Sequence, residues 1–370
     1  MLVGFMANFK KPKNVAYMTA VLCKYEGIDL VYMNPDDVNV EKELINGRVL
    51  RNGKWVRKVV GIPKFLDIAP YCFTKKNYEV IQLLKDKSFL SDNRTNVIKK
   101  DKLESYLKDD HTLQHLMIPT KDASDLREVY QFLGRYKKVV LKPVGGIQGK
   151  NIYIVEEIDK GYQIGFQTRS KIFSSLEFDD FITNNIMKRR YIVQKYISSR
   201  TLDGHPFDCR VHVEKNGFGQ WESARNYVRI GLNQKVVSNV NQGGAVTDLE
   251  PFLKANFGSS WQEIKNKIIS ISTAVPEKVE KIRGTHIMSL GLDVGIDESG
   301  EIYLFEVNDG PATVAVKTEV ARLRSRYYKY VLEKMESERI RNKREKLRTE
   351  VCSLEQSKSW KLTKLFRLFK

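Results

Sequence analysis

Three polar side chains in two neighbouring apolar segments have the chemistry of a magnesium site. Asp293 lies in the first segment, and Glu306 and Asn308 lie in the second, where they alternate with Phe305 and Val307. The segments are predicted to form a β-hairpin, so Glu306 and Asn308 share a face and Asp293 lies on the facing strand. Carboxylate and amide oxygens suit Mg²⁺, which usually keeps water and phosphate as its other ligands. The alternative, solvated acids at a sheet edge, is disfavoured by the apolar neighbours of Glu306 and Asn308.

A glycine-rich loop between two predicted strands could bind phosphate. Its polar and glycine positions include Gly145, Gly146, Gln148 and Gly149. Backbone N–H groups of such a loop can contact phosphate oxygens, and Lys142, at the end of the preceding strand, could reach an α- or β-phosphate. The loop runs from strand to strand and lacks the pattern of a Walker P-loop. The alternative is an ordinary hairpin turn next to a solvated lysine.

Asp208 and Arg210 alternate along another predicted strand and therefore point to the same side. An arginine facing a site can bind a γ-phosphate or an acyl phosphate through two hydrogen bonds. The alternative is a simple cross-strand ion pair.

The elements that must position these residues belong to an α/β and α+β fold. A strand over residues 2–6, a helix over 14–25 and a strand over 28–33 predict a βαβ unit with a parallel sheet. The apolar residues at helical spacing in this helix are Val15, Met18, Val21, Leu22 and Tyr25. This unit has no G-x-G-x-x-G, so a dinucleotide site is not expected there. Further strands are predicted over 191–197, 208–213 and 221–225, and a helix over roughly 260–283.

Six motifs occur in the order seen in the ATP-grasp superfamily. They are Asp101-Lys102, Leu141-Lys142-Pro143 with its glycine loop, Gln194-Lys195-Tyr196-Ile197, Asp208-Cys209-Arg210-Val211, Asn239-Val240-Asn241-Gln242-Gly243-Gly244 and Phe305-Glu306-Val307-Asn308. They resemble the glutathione-synthetase-like members, and the segments around Asp293 and Glu306 are most similar to the YheC/YheD group of spore-coat-associated ATP-grasp proteins. The resemblance covers about residues 95–320.

The resemblance implies an ATP-grasp fold with an N-terminal pre-ATP-grasp α/β domain and a basic helical tail. The domains are expected at residues 1–95 (pre-ATP-grasp), 96–318 (ATP-grasp, in two subdomains with a lid at about 138–197) and 319–370 (tail). It also implies ATP and one or two Mg²⁺ as cofactors, with Asp293, Glu306 and Asn308 as the metal ligands.

Roles for the remaining motif residues follow from the same resemblance. Lys102 and Lys142 match the lysines that hold the ATP phosphates, and residues 145–149 match a mobile lid loop. Gln194, Lys195, Tyr196 and Ile197 match the linker that binds adenine, although many relatives have a glutamate in this linker. Asp208 matches a ribose-contacting position, Arg210 an arginine near the γ-phosphate and acyl group, and Asn239 with Gly243 and Gly244 the loop on the acceptor side. Arg210, Lys142 and Asn239 are therefore the predicted catalytic residues.

The activity implied is ligation of a carboxylate to an amine or a thiol through an acyl phosphate. Positioning and electrostatic stabilisation dominate such chemistry, so it needs no nucleophile–base pair. The rival interpretation is a non-enzymatic or weakly active protein of spore-coat or envelope assembly. The sequence does not identify the substrates.

Charge is concentrated at the C-terminal end of the chain. The chain carries 63 Lys and Arg against 45 Asp and Glu, a net charge of +18, of which residues 316–370 contribute +10. Residues 316–350 are predicted to form a long solvated helix. The ending Ser357-Lys358-Ser359-Trp360-Lys361-Leu362-Thr363 resembles the S-x-S-W-[RK]-L-T ending of many bacterial surface-polysaccharide glycosyltransferases.

The basic and apolar residues after position 357 favour a segment lying on an anionic membrane surface, with docking on the protein's own core as the alternative. The expected location is cytoplasmic and peripheral on the inner face of the membrane, with a cell-surface glycan or envelope precursor as the substrate. Nucleic acid is an unlikely partner, because no recognition motif accompanies the charge. Four widely spaced cysteines indicate neither a disulfide framework nor a zinc site.

Overall fold

A computed structural model describes residues 1–144, 151–166, 169–231 and 244–356. These residues form three β-sheets, each covered by helices, and a C-terminal helix that crosses from the first sheet to the third.

The first sheet contains the predicted parallel unit. Its elements are β1 (Leu2–Met6), α1 (Asn14–Tyr25), β2 (Asp29–Met33), β3 (Val38–Asn39), β4 (Leu44–Arg51), β5 (Lys54–Gly61), β6 (Phe65–Ile68), α2 (Tyr78–Lys87) and β7 (Phe89–Leu90). The strand order is β3-β4-β2-β1-β6-β7, with β5 paired to β4. Strand β1 lies parallel to both β2 and β6, so the carboxyl ends of all three strands meet at one edge.

Helix α1 has the predicted bounds but buries a different face. Our prediction rested on larger apolar residues, yet Val21 and Tyr25 are exposed. The buried positions are Ala16, Ala20 and Cys23, whose small side chains let α1 approach a neighbouring helix closely. The apolar period therefore gave the helix correctly but not its packing face.

The second sheet is antiparallel. Helix α3 (Lys100–Lys108) comes before its first strand in the chain, and helix α4 (Leu126–Tyr136) connects its first two strands. Its strands are β8 (Thr120–Asp122), β9 (Lys138–Pro143), β10 (Tyr153–Ile158), β11 (Gly161–Phe166), β12 (Arg169–Phe173) and β13 (Tyr191–Lys195), in the order β12-β11-β10-β9-β13-β8, with α5 (Ser175–Phe181) between β12 and β13. Residues from α4 and α5 pack with Leu141 and Val193 in one core, which leaves the opposite face of the sheet open to a ligand.

The third sheet is also antiparallel and contains the predicted metal hairpin. Its strands are β14 (Phe207–Lys215), β15 (Trp221–Ile230), β16 (Ala245–Asp248), β17 (Ser289–Ile296) and β18 (Ile302–Asn308), in the order β16-β15-β14-β17-β18. Helices α6 (Leu249–Phe257) and α7 (Trp261–Arg283) pack with α3 on its apolar face, against Val211, Leu292 and other strand residues. The other face carries the polar side chains.

The last helix, α8 (Lys317–Gln356), is 40 residues long. Our prediction of a solvated helix is wrong for its N-terminal half, where Val320, Leu323, Tyr328 and Val331 are buried. This half packs with α1 and with residues of the first sheet. From residue 336 to residue 353 every side chain is exposed. The helix is therefore an internal element of the fold at one end and a projecting element at the other.

A buried charge cluster fixes α8 between the first and third sheets. Arg324 donates hydrogen bonds from Nη1 to Asp67 of β6 (2.9 Å) and from Nη2 to Glu214 of β14 (2.9 Å). Tyr328 donates to the same Asp67, and His212 contacts Glu214 at 3.0 Å. Burial alone would raise the pKa of Glu214, but Arg324 and His212 more than offset burial and lower that pKa.

We expect removal of Arg324 to destabilise the whole fold. Arg324→Met leaves Asp67 and Glu214 buried without their cation, and breaking such a pair costs about 3–5 kcal/mol. The matched control is Arg322→Met on the same helix, whose pair with Glu222 is exposed and is worth at most about 1 kcal/mol. Urea unfolding followed by circular dichroism measures both variants; equal losses of unfolding free energy would contradict the assignment.

Candidate functional site

The polar face of the third sheet brings together the site residues that lie on its strands. Arg210 on β14 is directly opposite Asp293 on β17, and Asp293 is directly opposite Glu306 on β18. Asn308 is opposite Gly291, one step further along the same face. Directly opposed residues point to the same side of a sheet, so the predicted grouping of Asp293, Glu306 and Asn308 is confirmed. Their role as metal ligands stays a prediction.

Two glycines and a bulge shape this face. A side chain at Gly291 would come within 2.7 Å of Pro311 and 3.4 Å of Arg210 Nη1, and one at Gly295 would overlap the Phe305 ring. The register between β17 and β18 shifts after Asp293, so Phe305 is the extra residue of a β-bulge. Such bulges redirect side chains near functional sites. Here the bulge lets Phe305 cover Gly295 while Glu306, the next residue, lies opposite Asp293.

Two arginines and two aspartates form an ion-pair network across three strands. Arg210 donates to Asp293 through Nε and, at 3.1 Å, through Nη2. Arg229 on β15 donates from Nε to Asp208 at 2.7 Å and places Nη2 3.1 Å from Asp293. Burial alone would lower the pKa of Arg229, but Asp208 and Asp293 more than offset burial and raise that pKa above its usual value. All four side chains are largely buried, so the network holds its geometry firmly.

The cross-strand ion pairs that the sequence offered as the alternative for Asp208 and Arg210 are present in this network. Each makes a cross-strand ion pair, as the alternative interpretation expected, and their nucleotide contacts stay predictions. Sequence reasoning missed Arg229. The strand predicted over 221–225 ends before Arg229, whereas β15 continues to Ile230. Arg229 lies two residues after Tyr227 on this strand and directly opposite Asp208, and a longer predicted strand would have indicated this position.

The donor set fits a hard divalent cation in part. Asn308 donates from Nδ2 to Asp293 at 3.1 Å, which turns its amide oxygen away from Asp293 and leaves that oxygen as a ligand atom. Asp293 already accepts hydrogen bonds from Arg210 and Asn308, so it would have to share its oxygens with a metal. Across the described ranges, no three His, Cys, Asp or Glu side chains form a metal-binding group. The predicted site contains two acids and one amide, with Glu306 and Asn308 the better placed ligands.

Lys142 and Gln194 lie together on the open face of the second sheet. Lys142 is directly opposite Ile192, and Gln194 is directly opposite Thr120, on the side away from the core that contains Leu141 and Val193. Gln194 is buried and donates from Nε2 to Thr120 Oγ1 at 2.8 Å. The nucleotide-binding face predicted for this sheet therefore contains one lysine and one oriented amide.

The segment that follows β13 joins the two sheets. Lys195 Nζ lies 5.6 Å from the centre of the Tyr303 ring on β18, and Tyr196 accepts a hydrogen bond from Arg200 at 2.8 Å. The Ile296 N–H donates to Ser199 Oγ at 3.2 Å, and Ile197 is buried. The predicted adenine linker is thus packed against one end of the β17–β18 hairpin.

Lys102 is the one remaining predicted site residue that the described ranges include, and it lies apart from this group. Lys102 is exposed on α3, whose apolar residues pack on the far side of the third sheet, so its phosphate contact stays a prediction. Gly145, Gly146, Gln148, Gly149, Asn239 and Gly243 lie outside the described residues.

We expect the ion-pair network to depend on Arg229. Arg229→Met leaves Asp208 and Asp293 with one arginine between them and should lower the free energy of unfolding by about 3–5 kcal/mol.

The control is Arg225→Met on the same strand, whose ion-pair partner Asp248 is well exposed, with an expected loss of about 1 kcal/mol or less. Denaturant unfolding provides the measurement, and equal losses of unfolding free energy in the two variants would contradict the role of the buried network.

The chain is similar in sequence to a known protein family and to two known proteins. A family described as YheC/D like ATP-grasp matches residues 91–336, well over half of the chain. The endospore coat-associated protein YheD of Bacillus subtilis (strain 168) is 27% identical over 289 residues, which cover 74% of this chain and 62% of YheD. YheC of the same strain is 23% identical over 211 residues, covering 56% of this chain and 58% of YheC. The matched regions therefore span about three fifths of these relatives.

Two of the solved structures to which the chain is similar are named as a synthetase and a ligase. D-cycloserine synthetase DcsG is 12% identical, with 88% of this chain and 99% of that chain covered and a TM-score of 0.49. The D-alanine-D-alanine ligase from Coxiella burnetii is 11% identical, with 93% and 99% covered and a TM-score of 0.46.

Proposed function

Because the chain belongs to the YheC/D-like ATP-grasp family, we propose that it is an ATP-dependent ligase that joins a carboxylate to an amine or a thiol. One observation carries the proposal. Arg210, Asp293, Glu306 and Asn308 lie in register on one polar face, and the linker from β13, whose sheet bears Lys142, packs against the same hairpin.

In the proposed reaction, a substrate carboxylate oxygen attacks the γ-phosphorus of ATP, and the bond from that phosphorus to the bridging oxygen of ADP breaks. The amine nitrogen then attacks the acyl carbon, phosphate leaves, and the nitrogen loses its proton to solvent. Magnesium held by Glu306 and the Asn308 amide oxygen would neutralise negative charge on the phosphates. Lys142 would hold a phosphate oxygen by charge.

Arg210 is pre-organised for the acyl-transfer step. Its Nε and Nη2 donate to Asp293, and its third nitrogen, Nη1, lies beside Gly291, where an added Cβ would come within 3.4 Å of it. A guanidinium fixed in this way can stabilise negative charge that develops on the substrate without reorganising at the moment of reaction. Asp293 therefore acts as a positioning residue for Arg210 in this proposal.

The proposed substrate is a carboxylate or amine of a cell-surface glycan or envelope precursor. The resemblance of the chain's ending to that of surface-polysaccharide glycosyltransferases supports this choice. The second candidate function is coat or envelope assembly without catalysis, which the names of the relatives YheD and YheC favour. The two candidates differ in whether a carboxylate stimulates ATP turnover.

We expect ADP release to require both a carboxylate and Glu306. The assay screens amino acids together with uronic-acid-bearing precursors at saturating Mg·ATP. Glu306→Gln should lower the stimulated rate by about 100-fold or more, because it removes a carboxylate that would hold the magnesium ion. Glu301→Gln, at the start of the same strand, is the control, since Glu301 pairs with Lys267 on the surface.

Thermal stabilisation by Mg·ATP, measured together with carboxylate-dependent ADP release, separates the two candidate functions. A ligase should be stabilised by Mg·ATP and should release ADP when the right carboxylate is present. Stabilisation without any carboxylate-dependent turnover would contradict the ligase and support the assembly protein.

We also expect Thr120 to control selection of the nucleotide base. Thr120 Oγ1 donates its single hydrogen to the Ile118 carbonyl at 2.8 Å, so it can only accept from Gln194 Nε2. This orients the Gln194 amide with its oxygen turned away from Thr120, as an acceptor suited to the amino group of adenine and not to the carbonyl of guanine.

Thr120→Val frees the amide to turn and should reduce the preference for ATP over GTP by about tenfold, consistent with one hydrogen bond. Gln194→Glu keeps an acceptor and should retain the preference. The readout is the ratio of Kd values for the two Mg-nucleotides by calorimetry; an unchanged ratio in Thr120→Val would refute the role of Thr120.

A further inference from the structure

The C-terminal half of α8 extends beyond the folded body. From residue 336 onward its described side chains are all exposed, although the helix continues to Gln356. At 1.5 Å per residue this half is about 30 Å long. None of the described helices has an apolar stretch long enough to cross a bilayer. The projecting half is therefore available for contact along its side.

An apolar stripe runs along one face of the projecting half. Ile340, Leu347 and Val351 are 55%, 50% and 53% exposed. Their spacing of seven and four residues places them on one side of an α-helix. Aliphatic side chains aligned in this way on an otherwise charged helix mark an interaction surface.

Basic side chains border the stripe on both sides. Lys343 lies on one flank and Arg344 and Arg348 on the other, and the part of the chain that the structure describes provides no acidic partner for these three. Residues 339–348 contain six Lys or Arg and one Glu. The surface is thus apolar along its centre and cationic along its edges.

The sequence beyond the helix has the same chemistry. Residues 357–370 contain five Lys or Arg interspersed with Trp360, Leu362, Leu365, Phe366, Leu368 and Phe369. Basic and apolar residues therefore occur together in residues 339–348 and again in residues 358–370, and residues 349–357 between them contain Glu350 and Glu355 and no Lys or Arg.

We propose that this face of α8 binds an anionic lipid surface with the helix axis parallel to that surface. The apolar centre would enter the boundary between headgroups and acyl chains, and the basic flanks would contact the headgroups. Each basic residue near an anionic bilayer contributes about 1 kcal/mol. The proposal rests on the exposed stripe and its charges and does not depend on the ligase activity.

A second copy of the chain is a poorer occupant of the stripe. If Ile340 and Leu347 formed the seam of a parallel coiled coil, Arg344 would also lie in the seam and would meet its own counterpart. Lys343 of one copy would then face Arg348 of the other. These like charges oppose a dimer but are neutralised by an anionic bilayer.

The test is co-sedimentation of the full chain with vesicles of phosphatidylcholine alone and of phosphatidylcholine with phosphatidylglycerol. We expect binding to the anionic vesicles only, weakened as the salt concentration rises. The triple variant Ile340→Glu, Leu347→Glu, Val351→Glu should bind at least about tenfold more weakly than the wild type.

The matched control is Asn342→Glu, Thr349→Glu, Ser353→Glu, which adds the same charge on the opposite face of the helix. This control should keep most of the binding. Equal binding of the two triple variants, or equal binding to neutral vesicles, would overturn the proposal. Light scattering in the absence of lipid adds a further check: a dimer in the wild type that the stripe variant abolishes would identify a second copy as the occupant instead.

Discussion

The fold depends on the requirement that a charge removed from water must be paired. Arg324 meets this requirement between Asp67 of the first sheet and Glu214 of the third, and no water-exposed alternative exists for these buried groups. Glu214 lies on β14, the strand that also carries Asp208 and Arg210. The same strand face therefore runs from the contact with Arg324 to the candidate site, so the arginine of α8 sets where the first sheet stands relative to that site.

Charge pairing also explains why the site can hold four ionised side chains at low exposure. Two arginines neutralise Asp208 and Asp293, and the network needs no solvent to stabilise it. A guanidinium that is already oriented and desolvated by its partner is more effective toward a developing negative charge than a mobile surface arginine. The cost is rigidity, since every member of the network depends on the others.

Much of this could be predicted from the sequence because the predictive patterns are local. The hairpin that carries Asp293 and Glu306 follows from alternation and a turn, and helix α7 follows from its apolar period. The family resemblance, now confirmed by the match over residues 91–336, adds the order of the motifs. Arg229 and Arg324 could not be identified in the same way, because their importance comes from partners on distant elements. The face of α1 was wrong for a related reason: small residues gain value only when another helix is there to contact them.

The uninterrupted course of α8 has a mechanical consequence. Helix α8 is held by buried ion pairs at Arg324, and its side chains are exposed from residue 336 to residue 353, so a force on the exposed half is transmitted along the helix to the buried half. Any torque applied to the exposed half is borne by the ion pairs to Asp67 and Glu214, because a straight hydrogen-bonded helix resists bending along its length. Tilting the exposed half of α8 would strain the contacts that Arg324 makes with the first and third sheets, so these sheets must turn together with any surface on which the exposed half lies.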